Sequence, residues 1–444
     1  MKKILLILSG IFAVWAVNAQ ANEDSLSSYI HKAAILNPQV QSAYDSYRAA
    51  LAKVPQMDAL PDPQMTIGYF FSPMQLLGGN ERADVRLMQM FPWFGTLKAA
   101  KDEASKMAVA RYEAFRQIGL QKVYQVKKSW YNLYKINEEI TLTEDNIKLM
   151  NSLEQLALTG FQAPDGKTAT SMSSQKGNGS QMNTSGMGNT NTNDLVDVLR
   201  VKMVIRDLTT KLALLQDEQT TERIQFNSLL NRNAKSFVYL PDTLTRASIP
   251  LQFANGLDNI YQNNPTLKML TAEQNAYAAQ QRKVTKMGYP ILGLGLDYMI
   301  IDKRAGNTSM MNGQDMVMPM FSITLPIYRS KYKHMVKEAK FNQLSAQEAE
   351  TNARNQLQVQ YAQATTALND AERRITLNQG QIDLAQRTAD LLTTSFASSN
   401  ATADYDELLR VEQQLLDYRL KLVEAVTDQN TAVAMLDNLM AIGQ

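Results

Sequence analysis

Four short runs in this chain alternate apolar and polar positions with the two-residue period of a strand. Between Asp62 and Ser72, residues Met65, Ile67, Tyr69 and Phe71 fall on one face. From Arg82 to Phe91, residues Ala83, Val85, Leu87 and Phe91 alternate with Asp84, Arg86, Met88 and Met90. From Pro290 to Ile301, Leu292, Leu294, Leu296, Tyr298 and Ile300 oppose Gly293, Gly295 and Asp297. From Met316 to Ile327, Val317, Phe321, Ile323 and Leu325 alternate with Met318, Met320, Ser322 and Thr324. The pattern predicts strands over 62–72, 82–91, 290–301 and 316–327. Runs of about ten residues with one apolar and one more polar face suit a transmembrane β-strand, although a soluble hairpin shares the alternation.

Elsewhere the period changes. Val123, Val126, Trp130, Leu133, Ile140, Ile147 and Met150 follow 3-, 4- and 7-residue steps, as do Leu408, Val411, Leu415, Tyr418 and Leu422. Such narrow stripes predict helix packing on helix over many turns. The 13 prolines avoid the stretches after Pro92, after Pro164 and after Pro326. A proline inside a helix costs about 3 kcal/mol or more, so these gaps permit very long helices. A helix over 95–160 would measure roughly 100 Å, which predicts an elongated molecule.

The elements recur. Asn37-Pro38 is answered by Asn264-Pro265 and Pro63 by Pro290, both 227 positions on. Phe91-Pro92 is answered by Leu325-Pro326, 234 on, and Asp194-Leu195-Val196-Asp197-Val198-Leu199-Arg200-Val201 by Asp404-Tyr405-Asp406-Glu407-Leu408-Leu409-Arg410-Val411, 210 on. A first repeat over 21–235 therefore holds a helix, two strands, a long helix (95–160), a loop (162–193) and a return helix (194–233). A linker over 236–256 leads to a second repeat over 257–444, with a long helix (328–397) and a return helix (404–440). Four strands cannot close a barrel, and an open sheet edge is not tolerated in lipid. If the strands are in a membrane, three chains would supply twelve and a closed wall.

Composition narrows the class. Lys2 and Lys3, the apolar run Ile4 to Val17 and a small-residue cleavage site near Ala19 predict a signal peptide over 1–20. No other stretch approaches the length of a spanning helix. The chain has no cysteine, which removes disulfides, thiolate metal sites, cysteine nucleophiles and a lipoprotein anchor. It carries 45 basic and 43 acidic residues, and loss of the leader removes two lysines. That leaves no basic field for nucleic acid. No Ser/His/Asp arrangement, phosphate loop or metal-ligand spacing appears, so no enzyme and no cofactor are expected.

With these elements placed, the chain resembles the TolC-type outer-membrane efflux family over essentially its whole mature length. Leu60-Pro61-Asp62-Pro63, Phe91-Pro92-Trp93-Phe94-Gly95 and the paired Leu-Arg-Val segments carry the resemblance. It implies a mostly α fold with a transmembrane β part: a homotrimeric, twelve-stranded outer-membrane barrel continued by an α-helical coiled-coil tunnel through the periplasm. It implies a passive channel served by a periplasmic adaptor and an inner-membrane resistance–nodulation–division pump. Family channels close at their periplasmic tip. Matching the turn motif places Asp197 and Glu407 there, with Asp194, Asp404 and Asp406 close by. Arg200 and Arg410 depart from the better-known members, and could pair with these acids instead of leaving a bare anionic ring. Solvated charges that help to cap a helix start are the simpler alternative.

The first repeat carries about 24 extra residues before Asp194, since the offset falls from 234 to 210. They lie in a Gly-, Ser-, Thr- and Asn-rich run with Met172, Met182 and Met187, whose composition predicts a mobile loop. Methionine is abundant at 23 residues, and Met310, Met311, Met316, Met318 and Met320 crowd the second strand connection. Thioethers suit Cu(I) and Ag(I), so Met172, Met182, Met187, Met310 and Met311 are candidate transient soft-metal contacts. Methionine also fills apolar gaps with no metal role. The Met88-Gln89-Met90 stretch and the Met-rich second hairpin resemble channels paired with heavy-metal pumps, which makes copper or silver export the leading expectation. Export of drugs or other small molecules is the alternative within the class. A secreted coiled-coil structural protein is the alternative outside it.

Overall fold

The computed structural model describes residues 25–162, 190–248, 256–306, 308, 310–398 and 403–442. The expected leader, Met172, Met182, Met187 and the end of the linker lie outside the described residues. One order of elements runs twice. Helices α1 (Leu26–Leu36) and α2 (Pro38–Gln56) lead into strands β1 (Gln64–Leu76) and β2 (Gly79–Phe91), then α3 (Thr96–Gln162) and α4 (Thr190–Leu229). The second series is α5 (Gly256–Asn263), α6 (Pro265–Met287), β3 (Ile291–Asp302), β4 (Met316–Thr324), α7 (Arg329–Ser398) and α8 (Ala403–Met440).

Where the sequence predicts one helix at the head of each repeat, the structure has two. Pro38 and Pro265 lack an N–H and push the residue before them out of the helical region. Asn37 (ψ 122°) and Asn264 (ψ 124°) are accordingly extended. Each asparagine then does the same thing. Asn37 Nδ2 donates to the main-chain oxygen of Leu229 at 2.8 Å, and Asn264 Nδ2 to that of Leu439 at 3.0 Å. Both carbonyls belong to the ends of return helices, where acceptors are left without helical partners. Asn264 Oδ1 also accepts from the N–H of Thr266, capping α6.

The chain packs as two units. One comprises Met1–Asn37, Gln121–Ala254 and Gln360–Asn438. Two centres of its core lie among the described residues. Tyr29 and Ala33 of α1 meet Val126, Trp130 and Leu133 of α3, Phe226 of α4 and Leu230 just beyond it. Met150 and Leu153 of α3 meet Val201 and Leu208 of α4, Ala385 and Ala389 of α7, and Leu408, Val411 and Leu415 of α8. Val126, Trp130, Leu133 and Met150 of α3 and Leu408, Val411 and Leu415 of α8 are members of the predicted stripes. At 67 and 70 residues, α3 and α7 are each about 100 Å long. The buried stripe of α7 is largely alanine, with Ala339, Ala346 and Ala353 and then Leu357, Ala364 and Ala371 at seven-residue steps. Small residues at that period let helix axes approach closely, but they give little hydropathy contrast to read from sequence.

The other unit comprises Pro38–Leu120, Asn255–Val359 and Leu439–Gln444, and holds the sheet. All four strands form one antiparallel sheet in the order β1-β2-β3-β4. The middle seam, β2 with β3, joins the hairpin of the first repeat to that of the second. β1 runs on to Leu76, beyond the predicted end, with an irregularity between Tyr69 and Met74 that contains Pro73. A residue without an N–H is tolerated at such a bulge in an edge strand. β4 stops at Thr324, two residues short of Pro326. At the opposite end of the sheet from the hairpin turns, Gly95 (φ 77°) redirects the chain into α3. Arg282–Asp102 (2.7 Å) and Lys283–Glu103 (2.5 Å) ion pairs then fasten α6 to α3.

Candidate functional site

The alternation seen in the sequence resolves the sheet into two chemically different faces. On one face the register aligns Met65, Leu87, Leu296 and Pro319, and beside them Ile67, Val85, Tyr298 and Val317. These side chains are largely uncovered: Leu294 is 56% exposed and Phe321 opposite it 65%. A continuous uncovered apolar face on a four-stranded sheet is far from what water tolerates. Trp93 stacks on Tyr289 (centroids 5.3 Å apart, 16° between planes) where β2 ends and β3 begins. Phe94, whose ring meets Trp93 edge-on, and Tyr328, four residues past β4, are exposed. Aromatics at the margin of an apolar band form the girdle of a membrane interface. Among the described residues, no helix is long and apolar enough to cross a membrane.

The opposite face is polar and sulfur-rich. Arg86 faces Asp297 across the β2–β3 seam, with Nη2 and Oδ2 2.9 Å apart. The carboxylate is almost wholly buried while the guanidinium is not. Further along, Met90 lies opposite Gly293 and Met88 opposite Gly295, with Ser322 and Met320 completing these two rows on β4. Ser322 Oγ donates to Met88 Sδ at 3.3 Å and approaches Met90 Sδ at 3.9 Å. Met310 and Met311, the candidate soft-metal contacts, lie elsewhere. They are exposed on the β3–β4 connection, whose Gly313 N–H donates to the Gly78 carbonyl of the first hairpin turn at 2.8 Å. The sequence named Met88 and Met90 but did not join them to Gly293 or Ser322, because pairing between distant strands carries no local signal.

The residues matched to the periplasmic turn gather in the other unit. Arg200 of α4 pairs with Asp406 of α8, and Arg410 pairs with Glu407 one turn away at 2.5 Å. The backbones of Asp194 and Asp197 are in α4 and that of Asp404 in α8, while their side chains lie outside the described residues. Tyr405, which the sequence showed only as a member of the repeated segment, is buried and its hydroxyl donates to the main-chain oxygen of Leu153 at 2.9 Å, which fixes α8 against the end of α3. Lys202 adds an ion pair to Glu154 at 3.4 Å. Farther along α8, burial pushes the Glu412 carboxyl above its usual range, with Arg419 opposing and Asp390 reinforcing. No group of three or more His, Cys, Asp or Glu that could hold a metal occurs among the described residues.

The family described as outer membrane efflux protein matches residues 256–441. No curated protein matches the sequence. Among solved structures, the outer-membrane channel OprN has a TM-score of 0.72 at 14% identity, over 94% of this chain and 90% of its own. The outer membrane protein VceC from Vibrio cholerae scores 0.71 at 14% identity, over 94% and 96%. CusC, studied for the conformational changes of folding and transmembrane channel formation, scores 0.66 at 16% identity, over 94% and 92%. At such identities the likeness is one of fold. Residues 256–441 thus match the outer membrane efflux protein family, and the chain as a whole shares the fold of outer-membrane channels.

Proposed function

We propose that this chain is the passive outer-membrane channel of a three-part export assembly, working as a homotrimer. The carrying observation is a sheet with an uncovered apolar face whose outer strands, β1 and β4, each have a single neighbour among the described residues. In lipid every backbone group needs a partner, so such a sheet must be closed by other copies. Three copies give twelve strands, with Leu294, Leu296 and Phe321 toward lipid and Arg86, Asp297, Met88 and Met90 toward the lumen. The long helices would continue the conduit into the periplasm, toward an adaptor and an inner-membrane resistance–nodulation–division pump. The exposed apolar sheet face argues against a secreted coiled-coil structural protein, which would have no use for it.

For the cargo, the lumenal side favours soft monovalent metal ions, Cu(I) and Ag(I), because its apolar residues are chiefly thioethers. Organic small molecules are the competing cargo. The test is to express the full chain in cells lacking other exporters and to measure growth on graded silver, copper and an organic dye. The reading expects a trimer band that survives in unheated outer-membrane samples and resistance to the metals. A monomer absent from the outer membrane would end the channel proposal. Protection against dye alone would transfer the cargo to organic molecules.

A further inference from the structure

Methionine is distributed unevenly between the two faces of the sheet. Met88, Met90, Met299, Met316, Met318 and Met320 all occupy the polar face by register, in the company of Asp84, Arg86 and Asp297. The apolar face is built chiefly from Leu, Ile, Val, Phe and Tyr. A methionine that fills gaps belongs where packing is irregular and apolar. Here thioethers line the side that carries the charges, and two of them converge.

The convergence has a cause in the backbone. Gly293 and Gly295 of β3 project nothing onto this face, so side chains from β2 and β4 reach across and meet above β3. A Cβ on Gly293 would stand 2.2 Å from Ser322 Oγ, 2.8 Å from Met90 Sδ and 3.1 Å from Met88 Sδ. One on Gly295 would stand 2.8 Å from the Leu87 carbonyl oxygen of the neighbouring strand, and its nearest side-chain atoms would be the Met88 methyl at 3.3 Å and the Met320 methyl at 3.4 Å. Two sulfurs and a hydroxyl oxygen therefore surround one point above Gly293, where the hydroxyl donates to Met88 Sδ at 3.3 Å and lies 3.9 Å from Met90 Sδ. Packing alone would bring methyl groups inward, as happens over Gly295. Over Gly293 the donor atoms point inward.

We propose that Met88 and Met90, set by Ser322 over Gly293, form a thioether station for Cu(I) or Ag(I) on the lumenal face of the sheet. The site rests on the soft-ion cargo proposed above and gives that cargo a place in the barrel. Neutral thioethers select soft monovalent ions over zinc, calcium or magnesium. A pair of them binds weakly enough to release, as a conduction site must. Asp84 and Asp297 against the one guanidinium of Arg86 leave this face locally negative, which draws cations toward it. An ion would sit farther from the sheet than the missing Cβ, and Met320 is the next sulfur along β4. In a trimer the station occurs three times at one height.

The test uses the purified full-length protein in detergent and chloride-free buffer, with silver nitrate as the probe. Met172, Met182 and Met187 are first changed to leucine so that the loop contributes no sulfur. Silver retained per chain after dialysis is measured by mass spectrometry, and its neighbours by X-ray absorption. Met88→Leu with Met90→Leu should abolish the tightest component, and Ser322→Ala should weaken it about tenfold, the size of effect expected for a group that orients ligands. Met310→Leu with Met311→Leu should leave it intact. Undiminished silver in the Met88/Met90 variant overturns the proposal. So does a silver spectrum of the parent protein with no sulfur neighbours, a result that needs no variant to fold. Dialysis requires no transport, so a channel that exports neither dye nor silver would sink the cargo reading without deciding the site. Lost silver resistance with dye export and trimer intact would place the defect at the thioethers.

Discussion

Arg86 and Asp297 join the two repeats at the middle of the sheet, Nη2 to Oδ2 at 2.9 Å across the seam between β2 and β3. Asp297 Oδ1 receives no hydrogen bond from the described residues, so the pair neutralises a carboxylate that water barely reaches. Removing one member of such a pair is worse than removing both, since a lone buried charge is left behind. Arg86→Met should therefore lower the temperature at which the trimer dissociates on gels more than Arg86→Met combined with Asp297→Leu. Strictly additive losses in that double-mutant cycle would show the two residues to be energetically independent.

Leu294 lies at the middle of the exposed apolar face, opposite Phe321. Leu294→Arg should cost about 2 to 4 kcal/mol if this position is near the bilayer midplane. The expected outcome is little or no trimer in the outer-membrane fraction, with Met318→Ser, exposed on the other face, as a control. Wild-type assembly of the arginine variant would mean that this face does not meet lipid.

In the unit without the sheet, Arg200 holds Asp406 and Arg410 holds Glu407. Both pairs are solvent-exposed, so they contribute little to stability. Their proposed role is to restrain a closed constriction and mask its carboxylates. Arg200→Ala with Arg410→Ala should raise single-channel conductance and cation preference in planar bilayers, with the melting temperature unchanged. The same conductance and reversal potential as wild type would return these residues to ordinary surface charge.

Asn264 and Asn37 each satisfy a carbonyl at the end of a return helix. Asn264→Leu should cost about 1 to 3 kcal/mol, the penalty for a buried acceptor left without a donor, and Asn37→Leu a similar amount. Far-UV circular dichroism during thermal unfolding would read it. Melting curves identical to wild type for both variants would mean that water or a neighbouring group replaces the amide.

Burial raises the carboxyl of Glu139 in α3 above the ordinary 4.5, with Lys135 and Lys211 opposing, and burial raises that of Glu412 in α8. A raised carboxyl pKa means the folded state binds more protons than the unfolded one, so stability falls as pH rises from 4.5 through the folded value. Glu139→Gln with Glu412→Gln should therefore stabilise the protein at neutral pH and flatten that dependence. Denaturation midpoints at pH 5 and pH 7 measure it; equal slopes in variant and wild type would refute the burial effect.

The sequence by itself determined local form. Alternation at Met65–Phe71 and Leu292–Ile300 has the period of a strand, and the steps from Val123 to Met150 have the period of a helix, because each period follows from one element's own geometry. Proline-free runs bounded the long helices for the same local reason. The order of elements, twice over, was also legible.

What only the tertiary structure decided is who meets whom. Asn37-Pro38 and Asn264-Pro265 stood out as landmarks, yet their work is to split a helix and to hold Leu229 and Leu439, about 190 and 175 positions away. The alanine stripe of α7 carries helix packing with too little hydropathy contrast to be seen. Methionines 310 and 311 and methionines 88 and 90 looked alike as composition. Strand register separated them, because it brought Gly293 and Ser322 under one pair and left the other on an exposed connection. A residue's type fixes which contacts it favours, and the long-range pairing of strands and helices fixes which of those contacts exist.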